Sequence, residues 1–286
     1  MNKRVFPVAL VVSLSAAVLL AGCAQPPGGG HGQAQSNVPS PLTDLESGAS
    51  DASAAAAPPA VDPQATAALD AMGAYLRSLH AFEVDADTST DVVLDNGQNA
   101  ALERHAELKV RRPDRLRAEI TGNGNVRGLV YDGHRFTIFN QKQGYYARND
   151  APPTLDGLAR DLANTWHIEL PLADLFYWGF GKQDDLMLTS AQQIGVERVG
   201  ARSCTHYTYQ QTGVDWELWI EQGKRPLPCR MIITDTTQAS RPRHDVTYRW
   251  KLGVMFPAST FVFHPQAGAK EIEMKPAAQP PLQEAD

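Results

Sequence analysis

Three cysteines and eight histidines are the residues of this chain best suited to chemistry. Cys23 directly follows Leu20, Ala21 and Gly22. Small residues at that point let a peptidase approach the backbone, and the thiol behind them can carry a diacylglyceryl group. Cys204 and Cys229 remain as an even pair, which suits a disulfide in an oxidising compartment; the alternative is two buried thiols. There is no Cys-x-x-Cys, and His31, His80, His105, His134, His167, His206, His244 and His264 include no pair at metal-ligand spacing. Each histidine therefore reads as a surface or turn residue. Gly122-Asn123-Gly124 and Gly179-Phe180-Gly181 lack the strand-to-helix context of a phosphate cradle and read as turns. Asp184-Asp185 reads as a solvated loop, and no Gly-x-Ser-x-Gly elbow occurs. Catalytic triads assemble in space, but nothing along the chain speaks for one. The reading is a non-enzyme without cofactor or metal.

The surroundings of Cys23 give its thiol a role. Lys3 and Arg4 precede an uncharged run from Val5 to Leu20. That run has the length of a signal-peptide core and is short for a membrane span of about 20 residues. Residues 1–22 thus read as a lipoprotein signal peptide, and Leu20 to Cys23 resembles the bacterial lipobox. The expectation is acylation of Cys23 and contact with membrane lipid, at roughly 0.8 kcal/mol per buried methylene. By resemblance to lipoprotein sorting rules, Ala24 implies an outer-membrane anchor facing the periplasm. Residues 23–61 are dominated by Ala, Pro, Gly, Ser and Gln. Such a segment cannot bury enough apolar surface to offset its ordering entropy, so it reads as a disordered tether with a root-mean-square span of about 35 Å. Removing residues 1–22 takes away Lys3 and Arg4 and moves the formal charge from −6 to −8. An acidic chain without a basic patch is a poor nucleic-acid partner.

The remaining residues read as one domain over 62–264, with a flexible tail over 265–286. Asp62-Pro63 starts a helix over 63–80, with Leu69, Met72, Leu76 and Leu79 on one face. The period then changes to two. Strands are expected over Phe82–Leu94, 99–111, Arg115–Ile120, Val126–Tyr131, Arg135–Asn140 and Tyr145–Arg148. Residues 99–111 would by composition alone pass for a helix. Pro152-Pro153-Thr154 starts a helical stretch with Leu155, Leu158 and Leu162 on one stripe, and 168–180 is a second, very apolar segment. Strands resume at Gln192–Val199, Ser203–Gln211, Val214–Glu221, Cys229–Asp235 and His244–Leu252. The fold class is α+β, mainly antiparallel β: a curled, unclosed half-barrel of about 10–11 strands with helices covering the concave face. In a simple meander Cys204 and Cys229 would lie about 10 Å apart across the middle strand. Their bridge therefore needs a bulge, or a third strand that starts beyond the end of the second.

Three stretches carry a resemblance to the LolA/LolB superfamily of periplasmic lipoprotein carriers, and within it to a group of predicted periplasmic proteins of unknown function. Arg111-Arg112-Pro113-Asp114-Arg115-Leu116-Arg117 is similar to the carriers' Arg-Pro strand entry. Val130-Tyr131-Asp132-Gly133-His134-Arg135-Phe136 is similar to their Asp-Gly hairpin, and Asp215 to Ile220 with Gly223, Pro226, Leu227 and Pro228 to their Trp-Ile strand and following turn. The resemblance implies an unclosed barrel plugged by helices, with Arg112 holding the helical lid. Leu172, Leu175, Phe176, Trp178, Trp216 and Leu218 are then the candidate residues of an apolar cavity and its lid. The expected function is a lipid-anchored periplasmic protein that holds acyl chains, a lipoprotein or another apolar ligand. The alternatives are a ligand-free structural or interaction module of the envelope and, last, an unrecognised hydrolase. Fold resemblance alone does not decide among them.

Overall fold

The computed structural model describes residues 60–178 and 187–276. The expected signal peptide, Cys23, the expected tether up to residue 59, and the Gly179 to Gly181 and Asp184-Asp185 region lie outside the described residues.

Helix α1 spans Pro63–Ser78, with Asp62 as N-cap accepting the Gln64 amide at 2.8 Å. Ala65, Leu69, Met72 and Leu76 form its buried face. Six strands follow: β1 (Ala81–Val93), β2 (Asn99–Arg111), β3 (Arg115–Gly122), β4 (Asn125–Tyr131), β5 (Arg135–Asn140) and β6 (Tyr145–Asp150). Helices α2 (Leu155–Thr165) and α3 (Asp174–Tyr177) interrupt the strands. Five more follow, β7 (Ser190–Val199), β8 (Arg202–Gln211), β9 (Val214–Glu221), β10 (Pro228–Asp235) and β11 (Arg243–Leu252), and then the two-residue β12 (Lys270–Glu271). Strand β2 is the instructive case. Its alanines, leucine and charged residues favour helix locally, but Ala106, Leu108 and Val110 are buried between β1 and β3, and that pairing overrides propensity.

All twelve strands form one sheet in the order β12-β6-β5-β4-β3-β2-β1-β11-β10-β9-β8-β7. The sheet is antiparallel except for the parallel β12–β6 edge, and it does not close. Its centre is the long-range β1–β11 ladder, in which Ala86 faces Tyr248. The free edge of β7 is partly capped: Ala191 donates to the Ala60 carbonyl and accepts from the Asp62 amide, at 2.9 and 2.8 Å. The inner face packs Val84, Leu108, Leu116, Leu218, Val246 and Tyr248 against the helices in one core. On the outer face Cys204, Trp219, Cys229 and Ile232 make a small second cluster. Among the described residues no helix is long and apolar enough to cross a membrane.

Three local features bear on the sequence reading. Residues 270–271, assigned to the tail, pair with Tyr145 and Tyr146 and add an edge strand. The β9–β10 ladder has a bulge between Pro228 and Arg230, and Cys204 lies opposite Glu221, the last residue of β9. Cys204 and Cys229 therefore meet past the end of the middle strand, where they form a disulfide with Cα atoms 6.7 Å apart. Finally, His206 is not a surface histidine. It is 7% exposed, stacked on Trp219 at 3.9 Å, with ring nitrogens 3.1 and 3.0 Å from Glu197 and Glu217.

Candidate functional site

The concave face is an apolar groove covered by the connection between β6 and β7. Thr154 caps α2, its hydroxyl accepting the Gly157 amide at 3.1 Å. The helix then turns Leu155, Leu158 and Leu162 onto the sheet. Beyond α2 the chain is irregular up to α3. It nonetheless buries Leu170, Leu172, Leu175 and Phe176 in the same core, and Trp178 packs half-buried beside them. From the sheet side Trp216 and Leu218 enter this core, Trp216 stacked on Tyr209 at 4.1 Å. The six expected cavity and lid residues thus converge on one face, while the disulfide lies on the other.

Few polar ties hold this cover. The Leu155 amide donates to the Pro113 carbonyl at 3.0 Å, and the Tyr131 hydroxyl to the Pro152 carbonyl. The backbone between α2 and α3 is strained. His167 and Leu172 have φ of 51° and 56°, a region that costs a non-glycine residue roughly 1–3 kcal/mol.

Several polar groups lie under the cover without full satisfaction. Arg112 Nη1 is 3.9 Å from Asp156 Oδ1 on α2. Arg112 Nε and Asp156 Oδ1 have no hydrogen-bond partner among the described residues. Burial pushes the Arg112 guanidinium below its ordinary value, Asp156 opposes this, and Arg77 adds to it. Tyr248 is fully buried and its hydroxyl also finds no partner among the described residues. Burial raises its pKa, and the Asp174 carboxylate adds to the shift. Asp174 itself is half-buried, and the surrounding protein pushes its carboxyl up to about 6. Tyr209 is the contrasting case: its buried hydroxyl donates to the Ala65 carbonyl at 2.9 Å.

A cavity of about 270 Å³ opens at the rim of the groove. It lies between Ala68 and Ala71 of α1 and Thr205, Tyr207, Ile220 and Pro226 of the sheet and its turn. A second, of about 150 Å³, lies on the outer side under the C-terminal segment, lined by Phe139, Tyr146 and Phe263. The first is below the range of about 300–1,000 Å³ usual for small-molecule sites. In this state the floor of the groove is filled by the cover's own side chains.

The sequence reading did not single out Asp174 or Tyr248. Asp174 had a usable signal, as an acidic residue inside an otherwise apolar stretch. Tyr248 had only the inward alternation of β11. The orphaned state of its hydroxyl depends on what the cover brings to it.

Comparisons place the chain among known proteins. In structure it is similar to the lipoprotein LppX of Mycobacterium tuberculosis, with 16% identity over 68% of this chain and 98% of that one, and a TM-score of 0.43. It is also similar to an uncharacterised conserved protein from Thermus thermophilus, with 13% identity, coverage of 73% and 99%, and a TM-score of 0.42. A LolA superfamily protein from Nitrosomonas europaea aligns at 14% identity over 70% of this chain and 97% of that one, with a TM-score of 0.34. No curated protein matches by sequence. A family model does: residues 65–275 match "Predicted periplasmic protein (DUF2092)", and the chain belongs to that family.

Proposed function

We propose that this chain is a lipid-anchored periplasmic binding protein that takes acyl chains, or an acylated protein, into the concave groove. No covalent chemistry is involved. The observation that carries this reading is the cover: an apolar floor is occupied by a strained segment with few polar ties, over 151–178. An acyl chain can replace Leu172, Leu175 and Phe176 against the same floor, at about 0.8 kcal/mol per methylene buried. Arg112 and Asp156 act as the latch between sheet and α2, and the cavity beside α1 is the place where opening can begin. Cys23 acylation supplies the anchor, at the outer membrane by the sorting resemblance.

The competing reading, an envelope interaction module with a filled core, draws on the close packing of the groove in this state. One experiment separates the two. The full chain carrying Cys23→Ala is exported, purified, and measured by native mass spectrometry and by displacement of a fluorescent fatty acid. Co-purifying lipid or saturable displacement is expected. Bare protein with no probe uptake sinks the binding reading. Metabolic labelling with a palmitate analogue tests the anchor separately, since the label has to disappear with Cys23→Ala.

A further inference from the structure

One end of the concave groove is cationic. On the outer face of the sheet, charges alternate in sign: Asp87 pairs with Arg249, Lys251 with Glu83 and Asp85, Lys109 with Glu107, and Arg117 with Glu119. Among the described residues the inner face has no such ladder. Its register is set by Ala106 opposite Ile120 and Ile120 opposite Arg127, so Arg127 shares the face of the buried Ala106 and Leu108. Arg104, two residues before Ala106 on β2, shares it too. Neither arginine makes an ion pair among the described residues.

The backbone brings the two together. Between β2 and β4 stands Gly122, where a Cβ would lie 2.9 Å from Arg104 Cγ. The Arg104 side chain thus lies across a position that a larger residue would block, reaching toward β4. Burial pushes the Arg104 guanidinium below its ordinary value and the like charge of Arg127 pushes it further. Thr88, Thr90 and His244 complete this end, with Thr90 Oγ1 2.8 Å from His244 Nδ1. The next inward residues along the strands are apolar: Ala106, Leu108 and Val110 on β2, Leu129 and Tyr131 on β4. A net-negative chain thus holds two uncompensated guanidinium groups where its apolar floor meets a polar end.

We propose that Arg104 and Arg127 seat the anionic head of an amphiphile, a phosphate or carboxylate, whose acyl tail lies along the concave floor. The proposal rests on the binding reading above and narrows its ligand to an anionic lipid. A guanidinium suits this role because it donates in a planar fork to two oxygens at once.

The test compares two lipids with one identical palmitoyl tail: lysophosphatidylglycerol, whose head carries a phosphodiester anion, and uncharged monopalmitoylglycerol. Each is kept below its micellar concentration and measured by displacement of Nile red from the full chain carrying Cys23→Ala. The anionic lipid is expected to bind about tenfold more tightly, the scale of one charge-assisted hydrogen bond. Arg104→Gln with Arg127→Gln is expected to remove that advantage by weakening lysophosphatidylglycerol about tenfold, to the affinity of monopalmitoylglycerol. If the double variant loses its circular dichroism signature, the exposed Arg127→Gln alone is used and has to remove part of the advantage. Equal affinities in the parent protein, or a preference that survives the variants, overturn the head-group seat alone. Failure of both lipids to bind overturns the binding reading with it. Inorganic phosphate separates the two sources of anion: if it binds at these arginines while the two lipids bind equally, the site takes a free anion and the head-group assignment falls.

Discussion

Tyr248 and Tyr209 offer a matched test of how the cover packs. Both are buried on the concave face, and both present a hydroxyl to the helical layer. Tyr209 donates to the Ala65 carbonyl, whereas the Tyr248 hydroxyl has no partner among the described residues. A buried, unsatisfied polar group costs about 1–3 kcal/mol. Tyr248→Phe removes that group and keeps the ring against Trp250 and the core, so stability should rise by about 1–2 kcal/mol. For a domain of this size that is a Tm increase of roughly 2–8 °C. Tyr209→Phe should do the opposite, losing about 1 kcal/mol with its hydrogen bond. Paired thermal and urea unfolding of the lipid-free full chain carrying Cys23→Ala measures both. A fall in Tm for Tyr248→Phe similar to that for Tyr209→Phe would show that its hydroxyl is satisfied, and the account of an imperfectly sealed cover would be wrong.

Three further outcomes follow from named contacts. Asp174, raised from 3.8 to about 6, favours the protonated folded state, so its contribution is fully present below about pH 4 and is lost as pH rises through 6. Asp174→Asn should therefore stabilise the protein at pH 7.5 by up to about 3 kcal/mol, less where water reaches the half-buried carboxyl, with the gain vanishing near pH 4; a gain independent of pH would contradict this. Replacing Cys204 and Cys229 by Ala removes a cross-link across 25 residues and should cost about 3 kcal/mol in urea unfolding, while probe binding in the groove persists because the bridge lies on the outer face. Arg112→Ala should accelerate amide exchange in 155–165 by about fivefold, the scale of a 1 kcal/mol tie, and unchanged protection there would remove Arg112 from the latch.

Much of the architecture is legible in the sequence itself. Alternation in Arg115 to Ile120 and in Val246 to Leu252, and glycine turns such as Asp132-Gly133, are local signals of strands and hairpins. The stripe Leu155, Leu158 and Leu162 announced an apolar helix face that had to be covered. The candidate residues from Leu172 to Leu218 were recognisable as apolar material in excess of what short strands need.

What only the tertiary structure decided is non-local. The pairing of Ala86 with Tyr248 joins segments far apart in sequence, and it makes the first strand central in the sheet. The registers of β2 with β3 and of β3 with β4 put Arg104 and Arg127 on one face, without an ion-pair partner among the described residues. A bulge in the β9–β10 ladder, between Pro228 and Arg230, lets Cys204 reach Cys229. His206 shows the same limit: its residue type suggested solvent, but the stacking of Trp219 and the two flanking glutamates buried it. Periodicity reports which side of an element is apolar, because side-chain direction follows backbone geometry within a few residues. Whether a buried hydroxyl or guanidinium is satisfied depends on atoms that other elements deliver, and no local pattern encodes them.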